Sequence, residues 1–236
     1  MTTSGYVSWD VFVPEILQYV NGAPSILVRI HIRNTIINFC ERTLILQRDP
    51  SNFSMEEDVA EYKLKFSSDR YRALACDEVR IGEDNSSLPL LRTTMKELDS
   101  EFSNWRKQTA LKPTRYFLME DINKIKFFPM PSADVDDDTI IRTRVAPKRD
   151  QVEFDDFLYE KWHEVIQNGA ISTLLAVKGG SWVDVRLATA FGMEYKRGVN
   201  NARKVALTGT GNYPGRVIPQ SFDVMGQDYR RSGSWV

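Results

Sequence analysis

Phe154-Asp155-Asp156-Phe157-Leu158-Tyr159-Glu160-Lys161-Trp162-His163-Glu164-Val165-Ile166-Gln167-Asn168-Gly169-Ala170-Ile171-Ser172-Thr173-Leu174-Leu175-Ala176-Val177 is the stretch on which the fold turns. Within it Phe154, Phe157, Leu158, Trp162, Val165, Ile166, Gly169, Ala170, Thr173, Leu174 and Val177 recur at i, i+3, i+4 spacing for about seven turns. A stripe of that length has to be buried against other helices. Lys178-Gly179-Gly180-Ser181 ends it, with the glycines expected to form a helix C-cap. A second helix is expected from about Asp184 to Leu207, carrying Ala188, Phe191, Gly192, Tyr195, Val199, Ala202 and Ala206 along one side. Two long helices joined by a short Gly-rich turn form an antiparallel hairpin.

Toward the N-terminus, Trp9, Phe12, Val13, Ile16, Leu17 and Val20 fall at helical spacing behind Ser8, a good N-cap, and Pro14 should kink this segment or start its regular part. Asn21-Gly22 breaks it. Pro24 sits where an N1 proline belongs, and no Gly or Pro follows until after Gln47, so a long second helix is expected to about that residue. It carries one apolar line through Ile26, Ile30, Ile37, Cys40 and Leu44 and another through Val28, Ile32, Ile36 and Phe39. A helix with two apolar faces lies between neighbours.

From about Val59 to Val145 the pattern changes to short alternating runs. Tyr62, Leu64 and Phe66 alternate with charged residues, and Leu74–Ile81, Tyr116–Met119, Ile125–Phe128 and Ile140–Val145 are further strand candidates. Thr94 with Glu97 reads as a capping box opening one short helix. Strands without a crossover helix between each pair favour an antiparallel meander over a parallel nucleotide-binding sheet. The expected class is α+β: an antiparallel helical bundle (1–48 and 152–208) with an inserted antiparallel β-domain (59–146) and an extended C-terminal arm (209–236).

The chain has 236 residues, a formal charge of −1 and 42% hydrophobic residues, the composition of a folded protein and not of a disordered one. No apolar run is long enough to span a bilayer. Met1-Thr2-Thr3-Ser4-Gly5 lacks the basic and apolar regions of a signal peptide, so synthesis in a cytosol is expected. The net charge is divided unevenly: residues 178–236 hold nine Lys or Arg against four Asp or Glu, leaving an acidic body of −6 and a basic end of +5. Bulk positive charge is therefore no basis for nucleic-acid binding by the body.

No metal or cofactor site is expected. Cys40 and Cys76 read as small buried hydrophobes, and a reducing compartment argues against a disulfide. With His31 and His163 they make no zinc spacing, and neither histidine has a Ser, Cys or carboxylate set nearby in sequence. Asp134, Asp136, Asp137 and Asp138 lack the register of a calcium loop and read as a solvated turn. Gly209-Thr210-Gly211-Asn212-Tyr213-Pro214-Gly215 follows a helix where a phosphate loop would follow a strand. No catalytic residue is assigned. Arg33 interrupts the line of Ile26, Ile30 and Ile37, and either pairs with a buried carboxylate or faces another subunit; Arg29 and Arg33 are the subunit-interface candidates. The segment after Thr208 is Gly-rich, has no period, and spaces aromatic and Arg side chains of the kind that anchor interfaces.

Ser8-Trp9-Asp10-Val11-Phe12-Val13-Pro14, Phe39-Cys40-Glu41-Arg42-Thr43, Trp105 followed by Pro113-Thr114-Arg115-Tyr116, Lys126-Phe127-Phe128-Pro129-Met130-Pro131, Asn168 to Leu175, and Ser181-Trp182-Val183-Asp184 with Ala188 and Phe191 together resemble the head-to-tail adaptor (connector) proteins of tailed bacteriophages, especially short-tailed ones. The likeness spans roughly residues 8–206; Gly179-Gly180 replaces the proline-containing turn of that family. The resemblance implies a virion protein and no enzyme, assembled in the host cytoplasm as a homo-oligomeric ring, typically of twelve copies. The ring sits beneath the portal protein, docks tail or nozzle proteins and continues the DNA channel without binding DNA specifically. It also implies a C-terminal extension that grips the portal, here through Tyr213, Arg216, Phe222, Tyr229, Arg230, Arg231 and Trp235. An acidic wall would let DNA slide, and weak arms repeated around a ring act together. A tail-tube or head-completion component is the neighbouring alternative. From other classes, a metal-dependent hydrolase or nuclease would use Asp134, Asp136 and Asp138, and a DNA-binding regulator would need strongly salt-dependent duplex binding.

Overall fold

The computed structural model describes residues 5–50, 53–81, 89–119, 123–135 and 139–208. A short strand β1 (Tyr6–Ser8) leads into a 3-10 turn over Trp9–Phe12, started by the Ser8 hydroxyl accepting from the Asp10 amide at 3.3 Å. Helix α1 is only Val13–Leu17, so the single kinked helix expected to Val20 is replaced by two short pieces meeting at the proline. Helix α2 is Ser25–Thr43, with Pro24 at the N-cap and not at N1. It stops four residues before Gln47 although no Gly or Pro intervenes. Leu44 turns left-handed (φ 53°), and the chain leaves to pair with a distant strand, Gln47 bridging Arg144 and the Val145 amide donating to Leu46 O at 3.0 Å. Tertiary pairing here overrides local helix preference.

The middle of the chain supplies β2 (Glu61–Lys63), β3 (Tyr71–Ile81), β4 (Leu91–Arg92), α3 (Met95–Glu101), β5 (Thr109–Ala110), β6 (Arg115–Leu118), β7 (Lys124–Phe128), β8 (Met130–Pro131) and β9 (Thr139–Pro147). The capped helix and the expected strands form, except that Leu64 and Phe66 lie beyond the end of β2; the meander does not form. β3 and β9 make a long antiparallel ribbon interrupted by two register shifts, and the segment between them folds separately. There the sheet order is β2-β7-β6-β4, with β4 parallel to β6, and β5 pairs parallel with β8. Alternation identifies strands and leaves their partners open, because partners are fixed by long-range packing. Thr94 and Glu97 do close a reciprocal capping box at the start of α3.

Strand β10 (Glu153–Asp155) pairs antiparallel with β1 and runs directly into α4 (Asp156–Leu175); α5 (Val185–Thr208) follows. The turn glycines are not the C-cap of α4, which is Ala176 in ordinary helical conformation; Gly179 instead takes a positive φ of 97° inside the turn. The largest core joins Phe12, Ile16, Ile32, Ile36 and Phe39 to Phe154, Leu158, Trp162, Ile166 and Leu174, with Tyr71 and Val145 closing it from the ribbon. Two smaller cores lie in the β region, one around Leu64, Val79, Ile125 and Phe127 and one around Leu98, Trp105, Phe117 and Phe128. No helix of the described residues is long and apolar enough to cross a membrane.

Candidate functional site

The helices approach closely because small residues stand at their crossings. A Cβ added at Gly169 of α4 would fall 2.6 Å from Thr35 of α2 and 2.7 Å from Tyr195 of α5, and one at Gly198 of α5 would fall 2.4 Å from Val165 of α4. Contacts descend α4 from Ser172 through Gly169 to Val165 as they ascend α5 from Gly192 through Tyr195 to Gly198, so the two helices run in opposite directions. Tyr195 donates to Asn38 Oδ1 of α2 at 3.1 Å, and burial pushes its phenol up to about 12.

Helix α2 has the two apolar faces its sequence carries, and they are covered unequally. Val28, Ile32, Ile36 and Phe39 are fully buried. On the other face Ile37 and Cys40 are buried, while Ile26 is 67% and Ile30 39% exposed. Arg33 lies at the boundary, its Nε buried and without a hydrogen-bond partner among the described residues. No described carboxylate is within ion-pair distance of it, so the buried-carboxylate partner expected from the sequence is not found among the described residues. Arg29 is held differently: its Nε meets Asp10 Oδ1 at 2.5 Å, fastening α2 to the 3-10 turn.

The buried carboxylate among the described residues is Asp155, which the sequence reading did not single out. It occupies the N-cap position of α4 but makes no side-chain cap bond; its carboxylate points into the core. Arg48 donates to Oδ1, and the Tyr71 hydroxyl donates to Oδ2 at 2.9 Å. With its one proton so used, Tyr71 accepts from the Tyr6 hydroxyl, 3.1 Å away. Burial drives the Asp155 carboxyl upward from the ordinary carboxylate range, against the pull of the Arg48 charge and the Tyr71 hydrogen bond. Burial also raises the Tyr71 phenol, with Tyr6 and Asp155 adding to it. The group ties β1, β3, the chain after α2 and the start of α4 together. The only local sign of it is an Asp-Asp pair where one capping residue suffices; Arg48 is too distant in sequence for spacing to reveal.

The histidines lie apart from this network. The Thr173 hydroxyl donates to Ala170 O, so His31 Nδ1 at 2.9 Å carries the proton and donates to Thr173 Oγ1; burial lowers the His31 pKa. His163 stacks on Phe12 with centroids 5.0 Å apart, its Nε2 3.0 Å from Glu15 Oε2. Both cysteines are buried and unbonded to each other, with burial raising Cys40 and pushing Cys76 up to about 11. Asp134 accepts the Glu57 amide at 2.7 Å, pinning a loop; Asp136, Asp137 and Asp138 lie outside the described residues. Among the described residues no group of His, Cys, Asp and Glu could hold a metal. A groove of about 440 Å³ beside β4 is lined by Thr93, Met95, Phe117 and Met119, with Arg92 the one titratable side chain among its described lining residues. The arm residues Tyr213, Arg216, Phe222, Tyr229, Arg230, Arg231 and Trp235 lie outside the described residues.

Compared with known proteins, the sequence matches no family model and no curated protein.

Proposed function

We propose that this chain is a structural protein of a tailed-phage virion, a head-to-tail adaptor that assembles as a ring below the portal, continues the DNA channel and docks tail components. In this reading residues 1–48 and 152–208 are the helical bundle, 59–146 the inserted β-domain and 209–236 the portal-gripping arm. The observation that carries it is the large core shared mainly by the first 46 residues and residues 154–202, which Tyr71, Val145 and Ala146 of the β3–β9 ribbon close from one side, while the rest of the β region builds two cores of its own. This division of the cores supports the helices-with-insert organisation implied by the family-like segments along residues 8–206. The half-covered outer face of α2, with Ile26 and Ile30 bare beside Arg33, supports a chain that works in contact with copies of itself. Capture of the purified portal protein by the full chain tests the reading. The full chain retains portal, a chain ending at Thr208 stays folded and loses it, and equal capture by the two would reject the role of the arm.

A further inference from the structure

The helical period sorts the charges of α4 and α5 onto opposite sides of the pair. Val165, Gly169 and Ser172 are the α4 residues that meet α5. Asp156 and Glu160 fall on the far side of α4 from those contacts, and Glu164, one turn further on, lies at the flank. All three are exposed, and none makes an ion pair with a described residue. On α5, Ala188, Val199 and Ala202 are the buried residues. Arg186 and Lys204 lie opposite them on the helix, with Lys196 and Arg203 at the flank. These four cations are likewise exposed and unpaired among the described residues. Between them the same face of α5 bares Met193 (57% exposed) and Val185 (70%).

We propose that the basic outer face of α5 docks on the acidic outer face of α4 of a second copy of this chain. The occupant follows from charge complementarity within the chain itself. Asp156 to Glu164 is eight steps along the helix, about 12 Å at 1.5 Å per residue, and Arg186 to Lys204 is eighteen, about 27 Å, so the acidic row fits within the length of the basic face. Opposed charges fix partner and register more than they add affinity, and Met193 and Val185 supply apolar area. Because the two faces differ, the contact is head-to-tail, and repetition closes into a ring or extends into a filament. The inference rests on the adaptor reading only in identifying which surfaces would join its ring.

The test is sedimentation velocity on the full chain at about 100 µM and about 0.05 M salt, where exposed charges roughly 10 Å apart still act on one another. Wild type self-associates, and raising salt weakens the association. E160K/E164K and R203E/K204E each weaken it at least tenfold, one carrying two basic faces and the other two acidic faces. Mixed in equal amounts the two variants assemble together, since each face then meets its opposite; this restoration also establishes that both are folded. A wild type that stays monomeric, single variants that assemble as wild type does, or a mixture no more associated than its parts would each overturn the proposal. Portal is absent from the experiment, so its failure leaves the adaptor reading to the capture assay.

Discussion

The β region and the α4–α5 pair treat their charges in opposite ways. In the β region charged side chains find partners nearby: Lys126 meets Glu61 at 2.7 Å, Arg115 meets Glu101 at 2.6 Å, Arg144 meets Asp77 at 2.5 Å, and Arg142 and Arg80 share Glu78. On α4 and α5 the outward acids and bases stand apart, the one ion pair between their described residues being Arg197 with Glu194. The cores differ in the same sense: the helical cluster is large and continuous, whereas the β region divides its apolar residues between two small clusters. The β region also reaches the helical part, through Arg70 with Glu153 and Arg72 with Glu41, so most of its surface charges are spent inside this chain. The helix pair leaves its outward charges open over a well-filled core, which is the surface the proposed contact with a second copy uses.

The largest expected effect tests the difference between cores. Phe12 is fully buried among Phe154, Tyr159 and His163, and Phe12→Ala is expected to cost about 4 kcal/mol in denaturant unfolding. Leu98 is equally buried in the smallest cluster, and Leu98→Ala should cost about 2–3 kcal/mol. Equal costs would break the comparison.

The Asp155 network gives the next effect, and it is asymmetric. Arg48→Ala leaves a buried carboxylate without its cation, for about 3 kcal/mol, whereas Asp155→Asn keeps a polar partner for Tyr71 and costs about 1 kcal/mol, Arg48 being 40% exposed and open to water. Because the folded-state pKa of Asp155 is raised, the folded protein holds this proton more tightly than the unfolded chain. The stability contributed by the protonated form is therefore full below the ordinary carboxylate value and is lost as pH rises through the folded value. Unfolding curves across that window should show the slope in wild type and lose it in Asp155→Asn. The smallest effect sharpens the comparison from the β side: Thr94→Ala removes one half of the α3 capping box and should cost about 1 kcal/mol, confined to hydrogen exchange in the first turn of α3 and its neighbours.

What was legible in the sequence was what neighbours in sequence decide. The helical stripe, the capping box at Thr94 and the extended segments around Tyr116 and Ile125 all depend on residues a few positions apart, and each forms close to where the pattern puts it, except that Phe154, read as the first helical residue, lies in strand β10 and Val177 falls beyond the end of α4 at Leu175. Partner choice was not legible. Tyr71–Ile81 lies against Thr139–Pro147 across a long intervening segment, and the early end of α2 at Thr43 reflects pairing with that same distant strand. For the candidate surfaces, the interruption of an apolar line by Arg33 was visible, but which half of that line is covered depends on packing against the rest of the fold. Asp155 shows the limit most directly: local rules assign it to capping, and its partners Arg48 and Tyr71 draw it inward instead.

The central claim, that this chain is a ring-forming adaptor held to the portal, is tested most directly by the mass of the species formed when the full chain is mixed with purified portal protein. The account predicts a complex in which many copies of the chain join each portal ring, its mass dropping to that of portal alone when residues 209–236 are removed. Portal and full chain sedimenting separately at every ratio would contradict it.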